Sequence, residues 1–130
     1  MKVSRILTAG AVVTATLIGV AGPALAEDTI PTYMTNFNVG DESRVWHDNN
    51  MDNVVGYVQL QNCNRNNTQL GVFRADFGPD TNVARGTLYC TTSAKLTVGD
   101  PIAGDYHFTV ELINGNSSGT ISADPVTIRY

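Results

Sequence analysis

His47 and His107 are the chain's only histidines, and so the only side chains whose ordinary titration range suits general-base work near neutrality. A nucleophilic triad would need one of them within hydrogen-bond reach of a serine or cysteine and of an orienting carboxylate. No G-x-S-x-G run accompanies either histidine. His107 falls on the polar side of an alternating stretch and reads as a solvated surface residue, while His47 follows Trp46 at a strand end. Paired aspartates could hydrolyse glycosides, but Asp48, Asp52, Asp76, Asp80, Asp100 and Asp105 fall mostly in turn-rich stretches, where the carboxylate caps backbone N–H groups. The reading is a non-enzyme with no catalytic residue.

Asp48-Asn49-Asn50-Met51-Asp52-Asn53 sets oxygen ligands at the first, third and fifth positions of an EF-hand-like loop. The match then fails: Asn53 stands where the turn wants glycine and Gln59 where the bidentate glutamate belongs. Two histidines sixty residues apart have no zinc-ligand spacing. The expectation is an Asx-rich turn with neither metal nor cofactor. Trp46, Tyr57, Phe73, Phe77 and Tyr89 could stack on sugar rings, although most read as core. Asn66-Asn67-Thr68 and Asn116-Ser117-Ser118 fit the N-glycosylation pattern and read as exposed polar loops.

The chain opens with Lys2 and Arg5, an apolar run from Ile6 to Val20, and the small-residue end Ala24-Leu25-Ala26. That order predicts a secretory signal peptide over residues 1–26, a mature start at Glu27 and release outside the cell, with no membrane anchor. Residues 27–130 suffice for one small domain. Cys63 and Cys90 both fall in it, and an even count in an oxidising exterior predicts that they pair. Removing Lys2 and Arg5 leaves six basic residues against twelve acidic ones, with the basic ones scattered singly. An acidic surface of this kind works against nucleic acid and anionic lipid as partners.

Alternation of period two, broken by turn residues about every ten positions, predicts an all-β domain over 43–130. The expected strands are Ser43–His47, Val54–Gln61, Gln69–Phe77, Thr87–Thr91, Ala94–Val98, Tyr106–Ile113 and Thr120–Tyr130. Leu70, Val72 and Phe73 argue for a strand covered on both sides or carrying a bulge. Pro125 suits an edge or a strand switch. Residues 27–42 lack a clean period and read as an edge strand, or as an arm whose Tyr33, Met34 and Phe37 are buried by a partner.

About seven short strands leave an antiparallel β-sandwich. Gly104-Asp105-Tyr106-His107-Phe108 resembles the G-x-Y-x-C corner of immunoglobulin-like domains, in which a tyrosine hydroxyl turns onto the preceding loop. Phe108 replaces the cysteine, so in this resemblance Cys63 and Cys90 must link earlier strands, or a loop to a strand. The order of parts also resembles the small adaptor subunits of the umbrella toxin particles of Streptomyces. It comprises the Ala24-Leu25-Ala26 end, an arm beginning Glu27-Asp28-Thr29-Ile30-Pro31-Thr32-Tyr33, and a two-cysteine β-domain ending Val126-Thr127-Ile128-Arg129-Tyr130. The resemblance implies a secreted adaptor that joins a large toxin polypeptide to a lectin-like subunit, with Tyr33, Met34 and Phe37 as partner-binding residues. Two rival readings are a hydrolase inhibitor using the loop Gly78–Arg85, and a carbohydrate-binding module centred on Trp46.

Overall fold

The computed structural model describes residues 28–51 and 53–130. The expected leader over 1–26, the start at Glu27, and Asp52 of the acidic turn lie outside the described residues. Eight strands follow one another: β1 (Thr29–Asn38), β2 (Trp46–Asp48), β3 (Gly56–Leu60), β4 (Asn67–Arg74), β5 (Thr81–Tyr89), β6 (Lys95–Gly99), β7 (Gly104–Ile113) and β8 (Thr120–Arg129). The described residues contain no helix.

The pairing has a simple rule. β1 pairs with β8, β2 with β7, β3 with β6 and β4 with β5, all antiparallel. This is one long hairpin with the β4–β5 turn at its tip, rolled up so that its rungs fall alternately into two sheets. β3–β8 and β4–β7 pairings complete sheets ordered β1-β8-β3-β6 and β2-β7-β4-β5. The expected antiparallel sandwich is therefore present, in the strand order of an eight-stranded jelly roll. An immunoglobulin sandwich puts its first, second, fifth and fourth strands in one sheet; here the first strand lies beside the last.

Alternation explains the core. Val58 and Leu60 from β3, Leu70 and Val72 from β4, Tyr106, Phe108 and Val110 from β7, and Ile121, Val126 and Ile128 from β8 are all buried between the sheets. Between Ala123 and Val126 the inward phase slips by one residue at Pro125, which lies inside β8 between β1 and β3 and not at a sheet edge. Its carbonyl accepts the Gln61 N–H at 3.1 Å. β4 carries the irregularity its sequence implied, with register shifts at Gln69/Leu70 against β7 and at Val72/Phe73 against β5.

The tyrosine corner also forms: the buried Tyr106 hydroxyl donates to the Ile102 carbonyl in the loop before β7. Cys63 in the β3–β4 loop is bonded to Cys90 at the end of β5, with Cα atoms 5.3 Å apart. The bridge thus joins a loop to a strand end, one of the two arrangements left open, and spans 27 residues. Closing a loop of that size removes about 3–4 kcal/mol of chain entropy from the unfolded state.

Candidate functional site

β1 is an edge of one sheet and β2 an edge of the other, so the connection between them crosses the open side of the sandwich. That connection is pinned to β7: Gly40 N–H donates to Val110 O at 2.7 Å and Ser43 N–H to Phe108 O at 2.8 Å. Between it and β1 lies a recess of about 290 Å³ lined by Tyr33, Met34, Phe37, Ser43, Arg44 and Phe108, among others. All three partner-binding residues read from the sequence meet in this recess, at different depths. Met34 is core, 2% exposed; Phe37 is half-buried; Tyr33 is 66% exposed. In the structure the segment Thr29–Asn38 is a strand hydrogen-bonded to β8, and Met34 is its inward anchor.

The edge of β1 is not a plain template for another strand. Pro31 removes an N–H, Asn36 takes a φ of 51°, and the ladder shifts register at Thr32/Met34 and at Met34/Phe37. Proline and bulges are devices that blunt sheet edges against unselective pairing. The recess, rather than a long free ladder, is the main feature of this edge.

The outer face of β2-β7-β4-β5 carries a second concentration of groups. Gly71 of β4 lies at its floor: a β-carbon there would stand 2.6 Å from Glu111 Oε1 and 2.7 Å from Phe73 Cε2. Glycine thus makes room for a carboxylate on one side and an aromatic ring on the other. Glu111 accepts from Arg85 Nε at 2.6 Å, from Arg85 Nη2 at 2.7 Å and from Gln69 Nε2 at 2.7 Å. These bonds hold its carboxyl below the usual carboxylate range, Arg85 contributing most. On the other side Phe73 stacks on His107, with ring centres 5.7 Å apart. His107 faces outward as its alternation implied, yet it is buried, because Phe73 and the flanking Glu42 and Asp80 surround it. The solvated position expected for it is corrected accordingly.

His47 pairs through Nδ1 with Asp105 Oδ1 at 2.6 Å, on neighbouring strands β2 and β7. The Asp105 hydrogen bond raises the His47 pKa. Among the described residues, no serine, threonine or cysteine side chain is bonded to either imidazole. Asp48 is buried and accepts the Asn50 N–H at 2.6 Å, the turn-capping work expected of it. Among the described residues, no group of three His, Cys, Asp or Glu side chains forms a metal-holding set.

The five aromatic candidates do not form one platform. Trp46 is buried against Tyr106, with ring centres 6.2 Å apart. Tyr57 lies under Lys95 on the opposite sheet from Phe73. Phe77 stands wholly exposed in the β4–β5 loop. That loop ends at Asp80, so the segment Gly78–Arg85 is mostly strand β5 and not a free loop. Arg74 grips Asp76 through Nε at 2.7 Å and Nη2 at 3.0 Å, Thr81 donates to the same carboxylate, and the Asp76 pKa is lowered as a result.

Sequence reading missed Glu42, Gly71, Arg85 and Glu111 as neighbours. One signal was available, a glycine inside an apolar strand, which marks close approach of other groups. Compared with known proteins, the chain matches no family model, no curated protein and no solved structure.

Proposed function

We propose that this chain is a secreted, non-catalytic protein-binding module that joins subunits of an extracellular complex, as the resemblance to toxin-particle adaptors implies. The observation that supports this most is the recess at the open side of the sandwich, where Tyr33, Met34 and Phe37 converge with Phe108 beside an interrupted edge strand. A preformed hollow with a half-exposed aromatic rim takes a partner's side chain at little ordering cost. The disulfide between Cys63 and Cys90 is consistent with an oxidising, extracellular setting.

The test is to purify C-terminally tagged protein from the culture fluid of its native host and identify what travels with it, for the parent chain and for Tyr33→Asp. The expected result is one or more secreted proteins retained by the parent and lost from the variant, with the same melting temperature for both. An unchanged set of co-purifying proteins would contradict the reading.

A second reading has its own observation. Phe77 is fully exposed on a loop braced by Arg74, Asp76 and Thr81, the presentation a hydrolase inhibitor would use. Stoichiometric inhibition of a phenylalanine-selective protease, lost in Phe77→Ala, would favour it over the adaptor.

A further inference from the structure

The outer face of β2-β7-β4-β5 carries a shallow trough of about 450 Å³, lined among others by Val39 of the β1–β2 connection, Thr109 and Glu111 of β7, Gln69 of β4 and Arg85 of β5. Its shape is set from below. Gly71 stands between Thr109 and Arg85 in the ladders, and the point its β-carbon would occupy is 2.6 Å from Glu111 Oε1 and 2.7 Å from Phe73 Cε2. A glycine at a strand centre is unfavourable for the strand itself. An ion pair on a solvent-facing surface contributes little stability. Folding alone therefore does not account for a glycine that lets a carboxylate and an aromatic ring lie down over the same strand. The Glu111 side chain, 17% exposed, is held in one orientation by Arg85 and Gln69, with each group mounted on a paired strand, as a preorganised binding group must be.

We propose that this trough binds a neutral carbohydrate, a pyranose unit of an oligosaccharide. Arg85 and Glu111 cancel each other's charge, so the trough draws neither an anion nor a cation. What the pair leaves is hydrogen-bonding capacity of both signs. Among the described residues nothing bonds to the Thr109 hydroxyl, to Gln69 Oε1 or to Arg85 Nη1, and Glu111 Oε1 accepts fewer bonds than its lone pairs allow. Donors and acceptors thus lie side by side on neighbouring side chains. A sugar hydroxyl donates and accepts at a single atom, and adjacent ring hydroxyls present both signs at the same close spacing. A peptide group holds its donor and acceptor on opposite sides and pairs with backbone at a sheet edge, whereas the backbone groups under the trough are committed to the β4 ladders. Val39 and the half-buried ring of Phe73 border the polar groups with apolar surface for the C–H face of the sugar. Trp46, on which the carbohydrate reading of the sequence centred, is buried and takes no part. Thr109 also lines the adjoining recess beside Phe73 and His107, so the trough continues along β7. The carbohydrate chemistry stands on these groups alone and does not rest on the protein-binding reading above.

The experiment titrates the folded chain with soluble, neutral hexasaccharides of glucose, mannose and N-acetylglucosamine while following the Gln69 side-chain amide and the Arg85 Nε–H by NMR. Hexagalacturonate, which is acidic, and a mixture of hexapeptides are the controls. The expected result is a saturable shift at Gln69 and Arg85 with at least one neutral sugar and with neither control. Read at Arg85, the affinity should weaken by about threefold to tenfold in Gln69→Ala and in Thr109→Val, as loss of one hydrogen bond predicts. Unchanged core resonances at Val58 and Leu70 will show that both variants keep the fold. No saturable shift with any of the three neutral sugars, an equal or stronger shift with hexagalacturonate or the peptides, or full binding by both folded variants would each overturn the proposal. The probes are sugars and the variants lie outside the Tyr33 recess, so their failure leaves the adaptor reading standing, and loss of co-purifying proteins in Tyr33→Asp leaves the trough intact.

Discussion

Met34 on β1 is the register partner of Ala123 on β8, and both are buried, at 2% exposure each. The first strand is thus fastened to the last through the core itself, and its aromatic neighbour Tyr33 is left outside. Under the proposed function, stability and partner binding fall to adjacent residues of one strand.

Met34→Ala should therefore destabilise the domain by about 2–5 kcal/mol, the range for truncating a buried methionine, whereas Tyr33→Ala should stay within about 0.5 kcal/mol of the parent. Urea unfolding of the two variants checks this. Deleting residues 27–40 removes Met34 and its ladder together and should cost at least as much as Met34→Ala.

Reduction of the Cys63–Cys90 bond, or its replacement by two alanines, should cost about 3–4 kcal/mol by the loop-entropy model. The bond joins the β3–β4 loop to the end of β5, so hydrogen exchange should rise first in those two segments. Faster exchange spread evenly over both sheets would argue against this assignment.

Gly71→Ala places a methyl group 2.6 Å from Glu111 Oε1 and 2.7 Å from Phe73 Cε2. Both side chains must move. A loss of about 1–3 kcal/mol is expected, typical of overpacking, with disturbed resonances at Arg85 and His107. Gly40→Ala, where a β-carbon meets nothing within 4 Å but φ is +96°, tests backbone strain alone.

The His47 midpoint should lie above its ordinary value of about 6.5, because Asp105 favours the charged ring. In Asp105→Asn it should fall back. A folded pKa that is raised gives stability fully present below the unfolded pKa and lost as pH rises through the folded one. Glu111 and Asp76 run the other way: their lowered pKa values give stability present above the unfolded values and lost as pH falls through the folded ones. Imidazole NMR and pH-dependent urea midpoints measure both trends.

Alternation made most of the fold legible. Tyr106, Phe108 and Val110 face inward as their spacing predicts, and the Tyr106 hydroxyl reaches the preceding loop. The spacing predicts β5 only from Thr87 because the first six residues of the strand, Thr81 to Gly86, are an exposed or half-exposed edge in which the two residues that touch the core, Val83 and Ala84, are consecutive and do not alternate. The rolled-up strand order was not legible either. Pairing β1 with β8 is a contact across ninety residues that no local pattern encodes. For the same reason Glu42, Asp80 and His107 give no sign in sequence that they share one space, whereas Tyr33, Met34 and Phe37 meet because they sit on one strand.

The proposed function places a partner protein against the Tyr33 side of the sandwich. A photo-cross-linking amino acid at position 33, expressed in the native host, tests it against the same group at position 89, where Tyr89 is 55% exposed on β5, the far edge of the other sheet. If a partner sits there, a discrete cross-linked product forms from position 33 and none from position 89. Cross-linking from position 89 alone, or from neither, would contradict it.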